Sequence, residues 1–137
     1  MLFYFGCQEN MRPFGCEEAK AMKELVLIIR PEMLEELKAI LDDVHCGGMT
    51  IASVMGCGTQ KGVTEKQVNQ IRGFRVNINL LPKIQATVVV EDSAVEPIIS
   101  AVRERVASGR VGDGKIFIRS VDDAVRIRTG ERGDKAL

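Results

Sequence analysis

The chain has 137 residues, in which nineteen basic residues balance nineteen acidic ones. That length fits one domain with a real hydrophobic core and hardly two. The charge balance leaves no net field favouring nucleic acid or an anionic membrane, and no apolar run reaches membrane-spanning length.

Residues 1–21 show no clear period, although FGCQEN and FGCEEA resemble one another. The opening MLFYFGC lacks the positive n-region and the apolar length of a secretory leader, so none is expected. KELVLIIR, from Lys23, is a continuous branched run that predicts a buried strand. Pro31 stands where a helix would begin. Met33, Leu34, Leu37, Ile40, Leu41 and Val44 then fall at helical spacing, with Gly47–Gly48 as the expected stop. MTIASVMG reads as a second strand. A polar stretch follows from Cys57 to about Asn79, rich in glycine and basic residues and without evident structure of its own. Such a stretch in a compact domain is a functional arm or a tolerated insertion.

KIQATVVVED predicts a third strand with Ile84, Ala86, Val88 and Val90 on one face. Ser93 with Glu96 makes a capping box for a helix through about Ala107, buried along Val95, Ile98, Ile99, Val102 and Val106. GRVGDG turns the chain into a fourth strand, KIFIRS, and the tail ends in another short extended piece. The order is β-α-β-β-α-β, an α+β, ferredoxin-like βαββαβ sandwich with a long loop between strands 2 and 3. Both helices would cover one sheet face. Val26, Ile28 and Val89 on the other face need a cover, which self-association would supply.

Function is less direct. Cys7, Cys16, Cys46 and Cys57 form no C-x-x-C pair and the chain has one histidine, His45, which argues against a zinc site. The thiols are expected to be reduced, as in a cytoplasmic protein. An RNA-recognition sheet would need base-stacking aromatics, and only Phe117 stands on the predicted strands. No Ser/His/Asp or paired-carboxylate arrangement marks an enzyme. The glycines of GRVGDGK are either a tight turn or an anion cradle completed by Lys115. Arg126 and Arg128, two apart on an extended segment, project from one face and need an anion or a carboxylate between them. Glu131 is the ordinary candidate. Together these residues make a polyphosphate a reasonable ligand.

VGDGKIF followed by VRIRTGERGDKAL resembles the C-terminal signature of the PII nitrogen-regulatory proteins. KELVLIIRP, MTIASVMGCGTQKG and LLPKIQATVVV resemble the same family, so the likeness runs through residues 22–137 and leaves residues 1–21 as an N-terminal extension or an upstream start. It implies a trimer that binds ATP or ADP between subunits, with the family's T-loop at about residues 57–80. Nucleotide contacts would come from Thr50, Gly56, Gly58, Gln60, Val89, Val111, Gly112, Asp113, Gly114, Lys115, Arg126 and Arg128. A 2-oxoglutarate effector would be held at Gln60, Lys61, Gly62 and Lys83, with Mg²⁺ on Gln60 only when ATP and 2-oxoglutarate are present.

The resemblance also implies a regulator rather than an enzyme. Its loop would act on an ammonium transporter, a nitrogen-metabolism enzyme or nitrogenase, and would touch a membrane only through a transporter. Alternatives are a nucleotide sensor for another small ligand, or a slow nucleotide hydrolase. Three departures from the family pattern stand out. Thr59 replaces a frequent arginine; ten residues, against the usual six, separate Gly62 from Gly73; and Val76 stands at the position of the modified tyrosine. Tyr4 is the only tyrosine and no serine lies between Cys57 and Lys83, so neither uridylylation nor phosphorylation of the loop is expected.

Overall fold

A computed structural model describes residues 20–57 and 80–137, together with the backbone of residues 69–71 and 74–76. Strand β1 (Met22–Ile29) leads through a 3-10 turn (Pro31–Met33) into α1 (Leu34–Asp43). Then come β2 (Thr50–Gly56), two short strands β3 (Asn69–Ile71) and β4 (Phe74–Val76), the long β5 (Leu81–Glu91), α2 (Asp92–Arg105) and β6 (Gly114–Val121). The main sheet runs β2-β5-β1-β6 with every pairing antiparallel. This is the ferredoxin-like arrangement expected from the sequence, in which each βαβ half contributes one inner and one edge strand.

Strand alternation decides the layers. Leu25, Leu27 and Ile29 of β1 and Ala86, Val88 and Val90 of β5 are buried on one face. Onto them pack Leu37, Ile40 and Leu41 of α1 and Val95, Ile98 and Val102 of α2, with Val106 just beyond it. Fully burying such side chains contributes about 1.5–3 kcal/mol each, enough to set the register of all four strands. The expected core faces of β5 and α2 are therefore the observed ones.

Local signals were less faithful. The first helix ends at Asp43, four residues before the glycines. His45 takes φ 55°, its amide bonds to the Asp42 carbonyl at 3.0 Å and the Cys46 amide reaches the Leu41 carbonyl at 2.9 Å. That is a Schellman closure with histidine in the left-handed position usually filled by glycine. The expected Ser93–Glu96 capping box is absent: α2 begins at Asp92 after Glu91, with no side-chain cap. β5 runs straight into the helix, so Ser93 lies inside the first turn. The long loop also carries structure, because β3 and β4 pair with Ile71 opposite Phe74.

The opposite sheet face departs from expectation in one respect. Val26 is already buried within the chain, at 6% exposure, between its sheet partners Thr87 and Phe117. The exposed apolar groups of the edge strands lie on both faces: Phe117 of β6 stands opposite the helices, whereas Ile51 and Met55 of β2 and Ile118 of β6 are in register with helix-facing residues; Leu80, Val111, Val125 and Ile127 are exposed outside the strands. Both strands are sheet edges, which explains why their side chains outrun the cover of their own chain. After β6 the tail closes on itself through a bridge between Val125 and Arg132 and a 3-10 turn over Gly133–Ala136. Among the described residues, no helix is long and apolar enough to cross a membrane.

Candidate functional site

The end of β2, the start of β5 and the turn before β6 converge on one cleft. It encloses about 440 Å³ and is lined by Ile28, Gly56, Cys57, Leu81, Lys83, Val111, Gly112, Gly114, Lys115 and Phe117. The pairing of β2 with β5 sets Gly56 opposite Leu81 and Val54 opposite Lys83. The pairing of β1 with β6 sets Ile28 beside Lys115. Two residues from distant parts of the chain are thereby fixed on one concavity by backbone ladders rather than by loop position.

The glycine turn earns its composition at two points. Gly112 has φ 103° and Gly114 φ 117°, conformations that side chains rarely adopt. The turn presents its backbone to the cleft while Lys115 stands exposed at the first positions of β6. Lys83 Nζ donates to the Gly112 carbonyl at 2.7 Å, tying the far end of the long loop to the glycine turn. None of the described residues lining the cleft is acidic. An open cleft lined by two ammonium groups, glycine backbone and the apolar Ile28, Leu81, Val111 and Phe117 suits an anion attached to an apolar ring.

Asp113 faces elsewhere. Its carboxylate accepts from the Ser108 hydroxyl at 2.6 Å, the Ser108 amide at 2.8 Å and the Gly109 amide at 2.9 Å. The Ser108 hydroxyl bond, the two amides and the nearby Arg30 guanidinium hold its carboxyl below the ordinary range, against a smaller opposing effect of burial. It lines a second, apolar groove on the α2 side of the turn, away from Gly112 and Lys83. The family resemblance grouped Asp113 with the cradle; within this chain its carboxylate turns to Ser108 and Gly109, and it shares the second groove with Gly114 and Lys115. Arg30 was not singled out, and nothing at its position in the sequence announces a contact 83 residues away.

Thr50, Val89, Arg126 and Arg128 do not line this cleft. Thr50 is exposed at the start of β2, and Val89 borders a different hollow with His45, Glu91 and Leu137. The expected extended face of Arg126 and Arg128 is not formed, because the chain turns there and the Gly130 amide bonds to the Arg126 carbonyl at 2.7 Å. Arg126 instead donates to Glu131 at 2.6 Å and to the Leu137 carbonyl at 2.8 Å. The ordinary partner, Glu131, is the observed one. Gly58, Thr59, Gln60, Lys61 and Gly62 lie outside the described residues, as do Tyr4, Cys7 and Cys16.

Residues 22–131 match the sequence profile of the family described as nitrogen regulatory protein P-II. The chain belongs to the P-II family. It is 48% identical over 116 residues to nitrogen regulatory protein P-II 2 of Methanothermobacter thermautotrophicus, covering 85% of this chain and 97% of that one. It is 41% identical to nitrogen regulatory protein P-II of Rhodospirillum rubrum, covering 85% and 100%. Among solved structures, the GlnK–ATP complex of B. subtilis matches with a TM-score of 0.67 and 29% identity over 85% of this chain and 98% of that one. Arabidopsis thaliana PII bound to citrate matches with a TM-score of 0.67 and 30% identity, covering 86% and 94%. These P-II relatives are named as regulators, and the chain is a regulatory protein rather than an enzyme.

Proposed function

We propose that this P-II protein is a homotrimeric cytoplasmic sensor that binds ATP or ADP in the cleft between Lys83 and Lys115, senses 2-oxoglutarate, and signals through the long loop at about residues 57–80. The observation that carries this reading is the convergence of Gly112, Gly114, Lys115 and Lys83 on one cleft at the base of that loop. Backbone amides and fixed cations recognise a polyphosphate, and the apolar wall accepts the base and sugar. That a GlnK of similar fold is an ATP complex and a plant PII a citrate complex fits nucleotide and small-acid ligands.

Self-association follows from what one chain leaves out. Thr50, Arg126 and Arg128 stand away from the cleft in their own subunit, so only a neighbouring copy could bring them to its nucleotide. The exposed Ile51, Phe117, Ile118, Val125 and Ile127 offer the surface for such contacts. Mg²⁺ would enter with the phosphates and Gln60, since the described cleft supplies cations rather than metal donors. A 2-oxoglutarate carboxylate at Lys83 would compete with the Gly112 carbonyl and so couple ligand to loop conformation. The loop's target would be an ammonium transporter, a nitrogen-metabolism enzyme or nitrogenase.

Titration calorimetry tests this: Mg-ATP and ADP are each added with and without 2-oxoglutarate. Nucleotide binding near one per subunit, with 2-oxoglutarate bound only beside Mg-ATP, is the expected result. Nucleotide without any 2-oxoglutarate response would favour a sensor for another ligand. Absence of nucleotide binding would sink the cradle reading, and steady ADP release would favour a hydrolase.

A further inference from the structure

The glycine turn is held from behind. Ser108, Gly109 and Asp113 form a closed ring in which one carboxylate collects three donors, and Arg110 adds its amide to the Ser108 hydroxyl at 3.3 Å. Arg30, just past the end of β1, reaches into this ring. Its Nη2 lies 3.4 Å from Asp113 Oδ1 and donates to the Val106 carbonyl at 3.4 Å. Val106 closes α2, so Arg30 spans the last carbonyls of that helix and the turn that follows it. The arrangement matters because the front of the turn has little to fix it: three positive-φ glycines, Gly109, Gly112 and Gly114, fall within six residues. Such a segment loses more backbone freedom on ordering than any other, unless something holds it ordered beforehand.

We propose that Arg30, Ser108 and Asp113 are positioning residues that preorganise the glycine turn for phosphate, acting from the side opposite the ligand. Asp113 thus serves the cleft without touching what binds there. The inference rests on the nucleotide reading above, and it assigns opposite signs to two accounts of Asp113. A carboxylate beside the phosphates would repel them, so Asp113→Asn would tighten ATP. A carboxylate that organises the turn loses one of its two acceptor oxygens in Asp113→Asn, because the amide nitrogen cannot accept. ATP and ADP then bind more weakly.

The experiment uses the full chain. Amide exchange by NMR is read at Ser108 and Gly109, and ATP affinity by calorimetry, in the unaltered protein, Asp113→Asn, Ser108→Ala, Ser108→Thr and Arg30→Met. We expect protected Ser108 and Gly109 amides that become fast in Asp113→Asn, with ATP affinity down about tenfold. Ser108→Ala should lose affinity and Ser108→Thr, which keeps the hydroxyl, should restore it. Arg30→Met should weaken ATP less than Asp113→Asn, since its contacts are longer. Tighter ATP binding in Asp113→Asn, or equally fast amides with and without the carboxylate, would overturn the proposal. If the unaltered protein binds no nucleotide, the ligand reading fails, and the amide protection still decides whether the clamp exists.

Discussion

Gly114 lies so close to β1 that a Cβ built on it would stand 1.7 Å from the carbonyl oxygen of Ile28. The first residue of β6 is therefore fixed by contact as well as by its φ of +117°. Gly114→Ala must displace the β1–β6 ladder at the mouth of the cleft, a loss of about 3 kcal/mol or more. Gly109 differs, with φ +76° but nothing within 4 Å. Gly109→Ala should cost about 1 kcal/mol, the ordinary penalty of a left-handed side chain. Exposed Gly48, with no neighbour within 4 Å and no left-handed φ, should tolerate alanine within about 0.5 kcal/mol. Urea unfolding of the three variants checks the order, and near-equal losses would mean that the close approach at Gly114 is not what constrains the turn.

The Lys115 ammonium makes no hydrogen bond or ion pair with other described side chains, and the residue lines the cleft. Its charge is thus available to a ligand. Lys115→Ala should weaken ATP by about ten- to a hundredfold, the worth of one charge-assisted contact, and should flatten the dependence of affinity on salt. Lys23 is the control. It sits at the opposite end of β1, donating to Ser120 at 3.0 Å, and its removal should leave ATP affinity unchanged. Equal losses at both lysines would point to a general field rather than a site.

Acid should unpick the tail before the core. The carboxylate of Asp123 accepts from Arg132, from the Ala124 amide at 2.8 Å and from the Gly133 amide at 3.1 Å. The Arg132 bond first, then the two amides, hold its carboxyl below the ordinary range against a partial cost of burial. A carboxyl depressed on folding contributes stability above its unfolded pKa of about 3.9, and that contribution fades as pH falls through the lower folded value. Asp113 behaves likewise. Stability owed to these two groups should be level near neutrality and fall below about pH 4. Asp123→Asn should lower stability at pH 7 and flatten the acid slope, as read from urea midpoints between pH 3 and 7. An unchanged slope would show that the Asp123–Arg132 contact does not persist in solution.

What was legible in the sequence is what burial dictates. The alternation of Ile84, Ala86, Val88 and Val90 and the helical stripe of Val95, Ile98 and Val102 specified faces, order and topology, because a one-residue slip would expose the whole set. Ends were less legible. His45 closes α1 although glycines stand two residues on, since the Leu41 and Asp42 carbonyls need partners wherever packing stops the helix. The site was half legible. Gly112, Gly114 and Lys115 are local, and a run of seven residues shows them together. Lys83 and Gly56 reach them only through the β2–β5 and β1–β5 pairings, and Arg30 reaches Asp113 only once β1 and β6 lie side by side. The family resemblance supplied Lys83 and Gly56 but not Arg30. Spacing alone misplaced Arg128, which lies in a turn rather than on a strand.

That turn yields the last prediction. Arg126 is bound within its own chain by Glu131 at 2.6 Å and by the Leu137 carbonyl at 2.8 Å, while Thr129 donates to the same Glu131 oxygen at 2.8 Å. If Arg126 reaches a nucleotide held mainly by a neighbouring subunit, it must exchange the Glu131 carboxylate for phosphate. The Glu131 charge then competes with the ligand, and Glu131→Gln should raise ATP affinity by about two- to fivefold, the span of a half-exposed ion pair. The gain should vanish in the double variant with Arg126→Ala, which isolates the coupling between the two residues. Weaker ATP binding in Glu131→Gln would mean instead that Glu131 aims Arg126 at the phosphates, and no change in either variant would remove Arg126 from the site.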